Sequence, residues 1–323
     1  MNPTVLEVSN LCVDYVSASG PVHVVDDVSL QLREGEVHGL VGESGCGKST
    51  LARSVLRVLG PPAVVSGGSV RLEGEDLLPM DKAALDGLRW RHVSIVIQGA
   101  IDALNPVLPI EEQLVDALEA HGAATGKAAS ERAAKLLERV SLPRRVLRNY
   151  PHELSGGMRQ RVVIAMALAL SPEVLVMDEP TTALDVVVQA EILDELDRLR
   201  QEMGFAVLLV SHDLPLMLER CDRISVMYAG RIVETGPVEA YRQGGAHPYA
   251  QHLLQSFPRL DGPRTIARAL SGSPPSLMTP PPGCRFHPRC AKARPECSGR
   301  EPALTEVGPD HQAACYLLSP QSK

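Results

Sequence analysis

A chain of 323 residues is too long for one small binding module and suits two domains, or one large domain with an appendage. Its 44% hydrophobic and 22% charged residues, with a mean hydropathy of -0.01, exclude disorder throughout and provide for a sizeable core. Lys and Arg number 32 against 39 Asp and Glu, and the net charge of -7 with only ten aromatic residues argues against nucleic-acid binding through bulk charge or base stacking.

Residues 28–32 alternate apolar and polar, and 37–41 form a denser apolar run ending in glycines, so two early strands are expected. After Lys48, Leu51, Val55, Leu56 and Leu59 recur at helical spacing until Gly60-Pro61-Pro62 stops the pattern. Further strands are expected at 70–72 and 93–97. A helical stretch follows, with Ile110, Leu114, Ala117 and Leu118 on one face and Ala133, Leu136, Leu137 and Val140 on another. The strand 174–177, a helix through Ile192, Leu196 and Leu199, the strand 206–210 and a helix from Leu214 then repeat a β-α-β-α rhythm. That rhythm predicts an α/β fold with a parallel sheet covered on both faces. Residues 223–228 and 231–234 read as a hairpin turning at Ala229-Gly230. The apolar runs 162–170 and 206–210 fall short of the roughly 18–20 residues that cross a bilayer. The opening MNPTVLEVSN lacks the basic and apolar regions of a secretory signal, so a cytoplasmic compartment is expected.

The chemistry is concentrated in a few short motifs. Gly42-Glu43-Ser44-Gly45-Cys46-Gly47-Lys48-Ser49, followed by Thr50, satisfies the P-loop pattern between a strand and a helix. Its glycines let backbone N–H groups turn toward phosphates, and the helix N-terminus adds a favourable dipole. Lys48 would reach the β- and γ-phosphates of ATP and the Ser49 hydroxyl would ligate Mg²⁺. The apolar strand 174–177 ends in Asp178-Glu179, the form of a Walker B element. Asp178 would stand beside Mg²⁺ and Glu179 would orient and deprotonate the attacking water.

These two motifs define a P-loop NTPase, and Leu154-Ser155-Gly156-Gly157-Met158-Arg159-Gln160-Arg161 narrows it. This run resembles the signature motif of ATP-binding cassette (ABC) ATPases, with Met158 where Gln is usual. Ser155 and the backbone of Gly156 and Gly157 would offer a second phosphate site at a helix start. The resemblance implies a head-to-tail pair of cassettes in which this surface meets the P-loop of the partner. It also implies a RecA-like core with an antiparallel β subdomain and a helical subdomain. By the same resemblance, Tyr15 stacks on adenine, Gln98 is the Q-loop glutamine that contacts Mg²⁺ and water, Ala183-Leu184-Asp185 is the D-loop, and His212 touches the γ-phosphate. A DNA-repair or translation-type ABC ATPase would need a long insertion or a second cassette, and neither is present.

Gln98 is followed by Leu104-Asn105-Pro106, and His247-Pro248-Tyr249 by Leu253 and Leu254. Both stretches resemble the oligopeptide/dipeptide importer branch. The resemblance implies import of peptides, with oligosaccharides or nickel as the alternatives within the branch, because Ile97 and Gly99 stand where Phe and Asp are commoner. It implies three kinds of partner, a second ABC ATPase subunit, identical or homologous, two integral-membrane permease subunits and an extracytoplasmic substrate-binding protein, and no nucleic acid. The chain would then work peripherally on the cytoplasmic face of the cell membrane.

The expected organisation is an ATP-binding domain over 1–255, with its helical subdomain at about 99–165, a linker over 256–283 containing seven prolines, and a cysteine segment over 284–323. Cys284, Cys290, Cys297 and Cys315 are separated by five, six and seventeen residues. Four thiolates suit Zn²⁺ or an iron-sulfur cluster, disulfides are disfavoured in a cytosolic ATPase, and the spacing alone leaves zinc, a cluster and unligated thiols open. His287 and His311 keep a mixed zinc site in view. The segment Gly283-Cys284-Arg285-Phe286-His287-Pro288-Arg289-Cys290 resembles peptide-branch subunits that hold a 4Fe-4S cluster, and this resemblance implies such a cluster here.

Overall fold

The computed structural model describes residues 2–99, 103–182, 184–256, 270 and 272–318. Much of the linker at 257–269, Ala183 of the D-loop, and residues 100–102 after the Q-loop glutamine lie outside the described residues.

In chain order the strands and helices begin with β1 (Thr4–Ser17), β2 (Gly20–Arg33), β3 (Val37–Val41), α1 (Lys48–Val55), β4 (Ala63–Leu72), β5 (Glu75–Asp76), α2 (Lys82–Leu88) and β6 (Val93–Val96). There follow α3 (Ile110–Ala120), α4 (Gly126–Arg139), α5 (Gly156–Ala167), β7 (Val174–Asp178), α6 (Val186–Met203), β8 (Ala206–Ser211), α7 (Leu214–Arg220), β9 (Arg223–Tyr228) and β10 (Arg231–Pro237). The chain continues with α8 (Val238–Arg242), α9 (Pro248–Gln255), α10 (Glu296–Gly299), β11 (Thr305–Gly308) and β12 (His311–Ala313). The helices expected around 110–118 and 133–140 and the hairpin at Ala229-Gly230 are present. The strand expected at 70–72 instead starts at Ala63, because its first half alternates half-buried and exposed residues with small Ser and Gly that carry little apolar signal. The short β11 and β12 also went unpredicted, since strands of four and three residues leave no periodicity to read.

The chain divides into two compact units. The first comprises 1–6, 32–35 and 72–208. Here β6 and β7 run parallel, Val93 opposite Val174 through Val96 opposite Met177, and the four β7 residues Val174 to Met177 are fully buried. A run apolar on every residue marks a strand covered on both faces. The helices α3, α4 and α5 supply a second apolar layer through Leu114, Leu118, Ala133, Leu137 and Val162, all with no solvent exposure. Burying one such leucine side chain contributes about 1.5–3 kcal/mol.

The second unit comprises 7–31, 36–71 and 209–323. Its first layer is antiparallel β2-β1-β4, and its second is the run β11-β12-β10-β9-β3. In that run β3 is parallel to β9, His38 opposite Arg223 through Val41 opposite Val226, whereas β9–β10, β10–β12 and β11–β12 are antiparallel. The C-terminal residues are therefore built into the same unit as α1 and the loop before it, by strand addition at β10. No described helix is long and apolar enough to cross a membrane.

Candidate nucleotide site

In the second unit, all five residues of β3 are buried, and the chain leaves its end through Gly42 into the loop that starts α1. Gly47 caps that helix at φ 110, a conformation that an L side chain rarely adopts, so the turn into the helix depends on glycine. Lys48 is 5% exposed, and its Nζ donates to the carbonyls of Gly42 at 2.8 Å and Glu43 at 3.1 Å. A buried ammonium so satisfied by its own loop is held where backbone N–H groups and a helix N-terminus also converge, the arrangement that receives a phosphate. Cys46 is buried beside it, and burial pushes its thiol pKa up, so it stays a neutral packing group. The Tyr15 hydroxyl lies 3.4 Å from Thr50 Oγ1, which ties β1 to the first turn of α1. Ser49 and Thr50 are partly exposed on that turn, with Ser44 and Gly45 exposed in the loop before it. His212 is exposed just beyond β8, and Asp213 next to it caps α7 by accepting from Leu216 N at 3.1 Å.

The first unit holds the remaining candidate groups. Asp178 is fully buried at the end of β7. Glu179 follows at φ 49, a left-handed conformation that costs a non-glycine residue on the order of 1–3 kcal/mol and so must be held by its surroundings. Its carboxylate accepts from Gln98 Nε2 at 3.0 Å and from Thr182 Oγ1 at 3.1 Å. A partly exposed carboxylate held by an amide and a hydroxyl is positioned to accept a proton from water. Ser155 caps α5, its hydroxyl accepting from Met158 N at 3.3 Å, and the N–H groups of Gly156 and Gly157 open the helix at the surface. A Cβ on Gly157 would come within 2.6 Å of Val188 Cγ1 in α6, so the signature turn needs glycine to lie against that helix. Asp185 caps α6 by accepting from Val188 N at 3.0 Å. One feature of the signature therefore rests on the residue that Asp185 caps.

Several contributing residues were not expected at this loop from the sequence, although Tyr249, Phe286 and Arg289 lie in motifs that resemble the peptide branch. Tyr249 in α9 is buried, and its hydroxyl accepts from the N–H of Glu43 at 2.9 Å. Arg289, from the cysteine segment, donates to both carboxylate oxygens of Glu43 at 2.6 and 3.0 Å. Tyr228, Tyr249 and Phe286 pack with ring centroids 4.5–5.3 Å apart behind this loop. Only ten aromatics exist in the chain, so three gathered here mark a local core rather than chance.

Cys284, Cys290, Cys297 and Cys315 are all free thiols and line one cavity together with Phe286, His247 and His287. Burial pushes the Cys284 thiol up to about 11 and raises Cys290 and Cys315 as well, so these groups are protonated at neutral pH while nothing is bound. Zn²⁺ with Zn–S bonds of about 2.3 Å would draw its sulfurs to roughly 3.8 Å from one another. Among the described residues, the one group of three donors all within 4.8 Å is Glu73, His92 and Glu173, whose side chains sit on the surface; no three of the four sulfurs are that close.

A buried lysine in a glycine loop before a helix, a buried aspartate and a held glutamate at a strand end, and a glycine-opened helix with a serine cap together define an ABC-type P-loop ATPase. The architecture agrees: the chain is similar to a solved dimeric, post-hydrolysis structure of the ATP-binding cassette MJ0796 bound to ADP and Pi, with 28% identity, a TM-score of 0.65, and coverage of 72% of this chain and 98% of that one. The ABC transporter family matches residues 25–182, and the oligopeptide/dipeptide transporter C-terminal region matches residues 233–297. A chain of Brucella abortus named as a peptide import ATP-binding protein is 46% identical over 94% of this chain and 92% of its own length. The dipeptide transport ATP-binding protein DppD of Bacillus subtilis is 40% identical over 97% and 94%. The oligopeptide transport ATP-binding protein OppD of Mycobacterium bovis is 46% identical over 98% of this chain and 52% of that protein. The chain belongs to the family of ATP-binding subunits of oligopeptide/dipeptide ABC transporters, and it is an ATPase.

Proposed function

We propose that this chain hydrolyses ATP to power import of dipeptides or oligopeptides across the cell membrane. The observation that carries the reading is the presence, in one chain, of the ATPase cassette and of the C-terminal region characteristic of peptide transporters. The backbone from Gly42 to Thr50 holds the phosphates, Lys48 meets the β- and γ-phosphates, and Tyr15 stacks on the base. Ser155, Gly156, Gly157 and Met158 serve the nucleotide held by a partner cassette, and Asp185 communicates between the two sites. Glu179, held by Gln98 and Thr182, takes the proton of the attacking water, while His212 contacts the γ-phosphate. Ser49, Gln98 and Asp178 each offer an oxygen donor of the kind Mg²⁺ takes and would hold the ion, which would supply neutralisation of phosphoryl charge. Nucleotide binding closes two cassettes and loss of the γ-phosphate releases them.

The partners in this reading are a second ABC ATPase, two membrane permeases that dock on the helical region after Gln98, and an extracytoplasmic binding protein. The chain then works at the cytoplasmic face of the membrane. The four C-terminal cysteines, Cys284, Cys290, Cys297 and Cys315, would hold a 4Fe-4S cluster with a structural role. Four free thiols around one cavity supply the ligand number that such a cluster takes. Anaerobic purification followed by iron and acid-labile sulfide assays tests this, and colourless protein with stoichiometric zinc would overturn it.

The transport reading is tested by reconstituting the chain with its permeases and binding protein in vesicles. Peptide-stimulated ATP hydrolysis and peptide uptake are expected. Stimulation by an oligosaccharide or by nickel, and not by peptides, would reassign the substrate.

A further inference from the structure

Glu43 carries the one carboxylate in the loop 42–50, and it does so at the place where a polyanion is to be received. Left alone it would oppose phosphate binding. In the folded chain it is instead gripped by Arg289, which lies 246 residues away and belongs to the cysteine segment. The two guanidinium nitrogens meet the two carboxylate oxygens at 2.6 and 3.0 Å, the paired geometry that makes Arg–carboxylate contacts strong and directional. The guanidinium also donates to the Tyr228 hydroxyl at 3.2 Å and to the Gly272 carbonyl at 3.2 Å, so its orientation is over-determined. With Arg289 at 7% side-chain exposure and Glu43 at 24%, the pair is poorly screened by solvent.

A second arginine of the same segment braces the loop from behind. Arg285, 8% exposed, donates to the Ala229 carbonyl and pairs with Asp26. The neighbouring Gly230 donates its N–H to the carbonyl of Cys46 at 2.8 Å. Both arginines are therefore anchored by the turn 284–290 while touching the loop or the residues that support it.

We infer that Arg289 is a positioning residue for ATP binding: it fixes the Glu43 side chain and neutralises it, so that the C-terminal segment sets the nucleotide affinity of the P-loop of its own chain. This rests on the reading of residues 42–50 as the phosphate loop. Replacing Arg289 by a neutral residue leaves one uncompensated negative charge near the phosphates, which at a surface-like dielectric weakens binding by about tenfold.

The test uses the full chain with Mg²⁺ and a fluorescent N-methylanthraniloyl ATP, together with steady-state hydrolysis in the reconstituted transporter. Lys48→Ala serves as the control for the loop itself; if it binds nucleotide as tightly as the unmodified chain, the phosphate-loop reading fails rather than the role of Arg289. Given that control, Arg289→Gln is expected to raise Kd and KM about tenfold with kcat changed less than about twofold, and Arg289→Lys to recover part of the loss. Glu43→Gln added to Arg289→Gln is expected to return Kd to within about threefold of the starting value, because it removes the charge that Arg289 had balanced. An unchanged Kd in Arg289→Gln, or no recovery in the double variant, would overturn the inference. Should Arg289→Gln fail to fold, Glu43→Gln alone decides: binding a few-fold tighter upholds the charge argument, and equal or weaker binding sinks it.

Discussion

Lowering pH from 7.5 to 5 is expected to destabilise the unit that carries the P-loop, through His247. This imidazole is 1% exposed, caps α9 by accepting from Tyr249 N at 3.0 Å, and packs 5.8 Å from the Phe286 ring. Burial lowers its pKa from 6.5 to about 4. Between those values the unfolded chain binds a proton that the folded chain refuses, so stability falls as pH falls through that window and is constant above it. At pH 5 the linkage amounts to about 2 kcal/mol, approaching about 3 kcal/mol below pH 4. The geometry agrees with the sign, since a proton on Nδ1 would face the Tyr249 N–H and destroy the cap. The carboxylate of Glu234 accepts from the backbone N–H of His247 at 2.6 Å, and burial alone sets the direction of the imidazole shift. Urea denaturation at pH 7.5, 6 and 5 measures the slope for the unmodified chain and for His247→Asn, whose amide oxygen can still cap the helix. The variant should lose about 2 kcal/mol less than the unmodified chain over this range. Equal slopes for the two proteins would refute the assignment to His247.

Glu179→Gln retains the contacts of the side chain but removes its basicity, so the hydrolysis rate should fall by about 10²–10⁴-fold while nucleotide still binds; single-turnover kinetics would expose a residual rate too high for Glu179 to be the base. Gly157→Ala places a methyl within 2.6 Å of Val188 Cγ1, and hydrolysis by the assembled pair should drop while binding of nucleotide to the isolated chain stays within about twofold. A parallel loss of binding would mean that the turn serves its own chain. Glu234 is fully buried and accepts from Ala246 N, His247 N and His311 Nε2 at 2.9, 2.6 and 2.9 Å. Glu234→Ala strands those donors and should cost about 3 kcal/mol, read by thermal denaturation as loosening of the C-terminal residues; a cost under about 1 kcal/mol would contradict the role given to this carboxylate.

The elements that bear chemistry were legible because their groups are contiguous. The loop 42–50, the strand end at Asp178-Glu179 and the turn at Ser155 each put donors and acceptors in place by local backbone geometry, so a short run of residues carries the whole signal. The helices α3, α4 and α6 were legible for a related reason, since a buried stripe repeats along each of them. Short β11 and β12 carried no such repeat. Gln98 and Glu179, 81 residues apart, could be joined only through family resemblance before the structure supplied the 3.0 Å contact.

By itself the sequence determined the class of chemistry, the order of the motifs and the α/β character, because each follows from local propensity and spacing. Only the tertiary structure decided what the last forty residues do to the rest. It added β12 to β10, gathered four sulfurs around one cavity, and brought Arg289 onto Glu43 across 246 positions of chain. Contacts of that span depend on how strands pair and aromatic rings pack, and no periodicity along the chain encodes them.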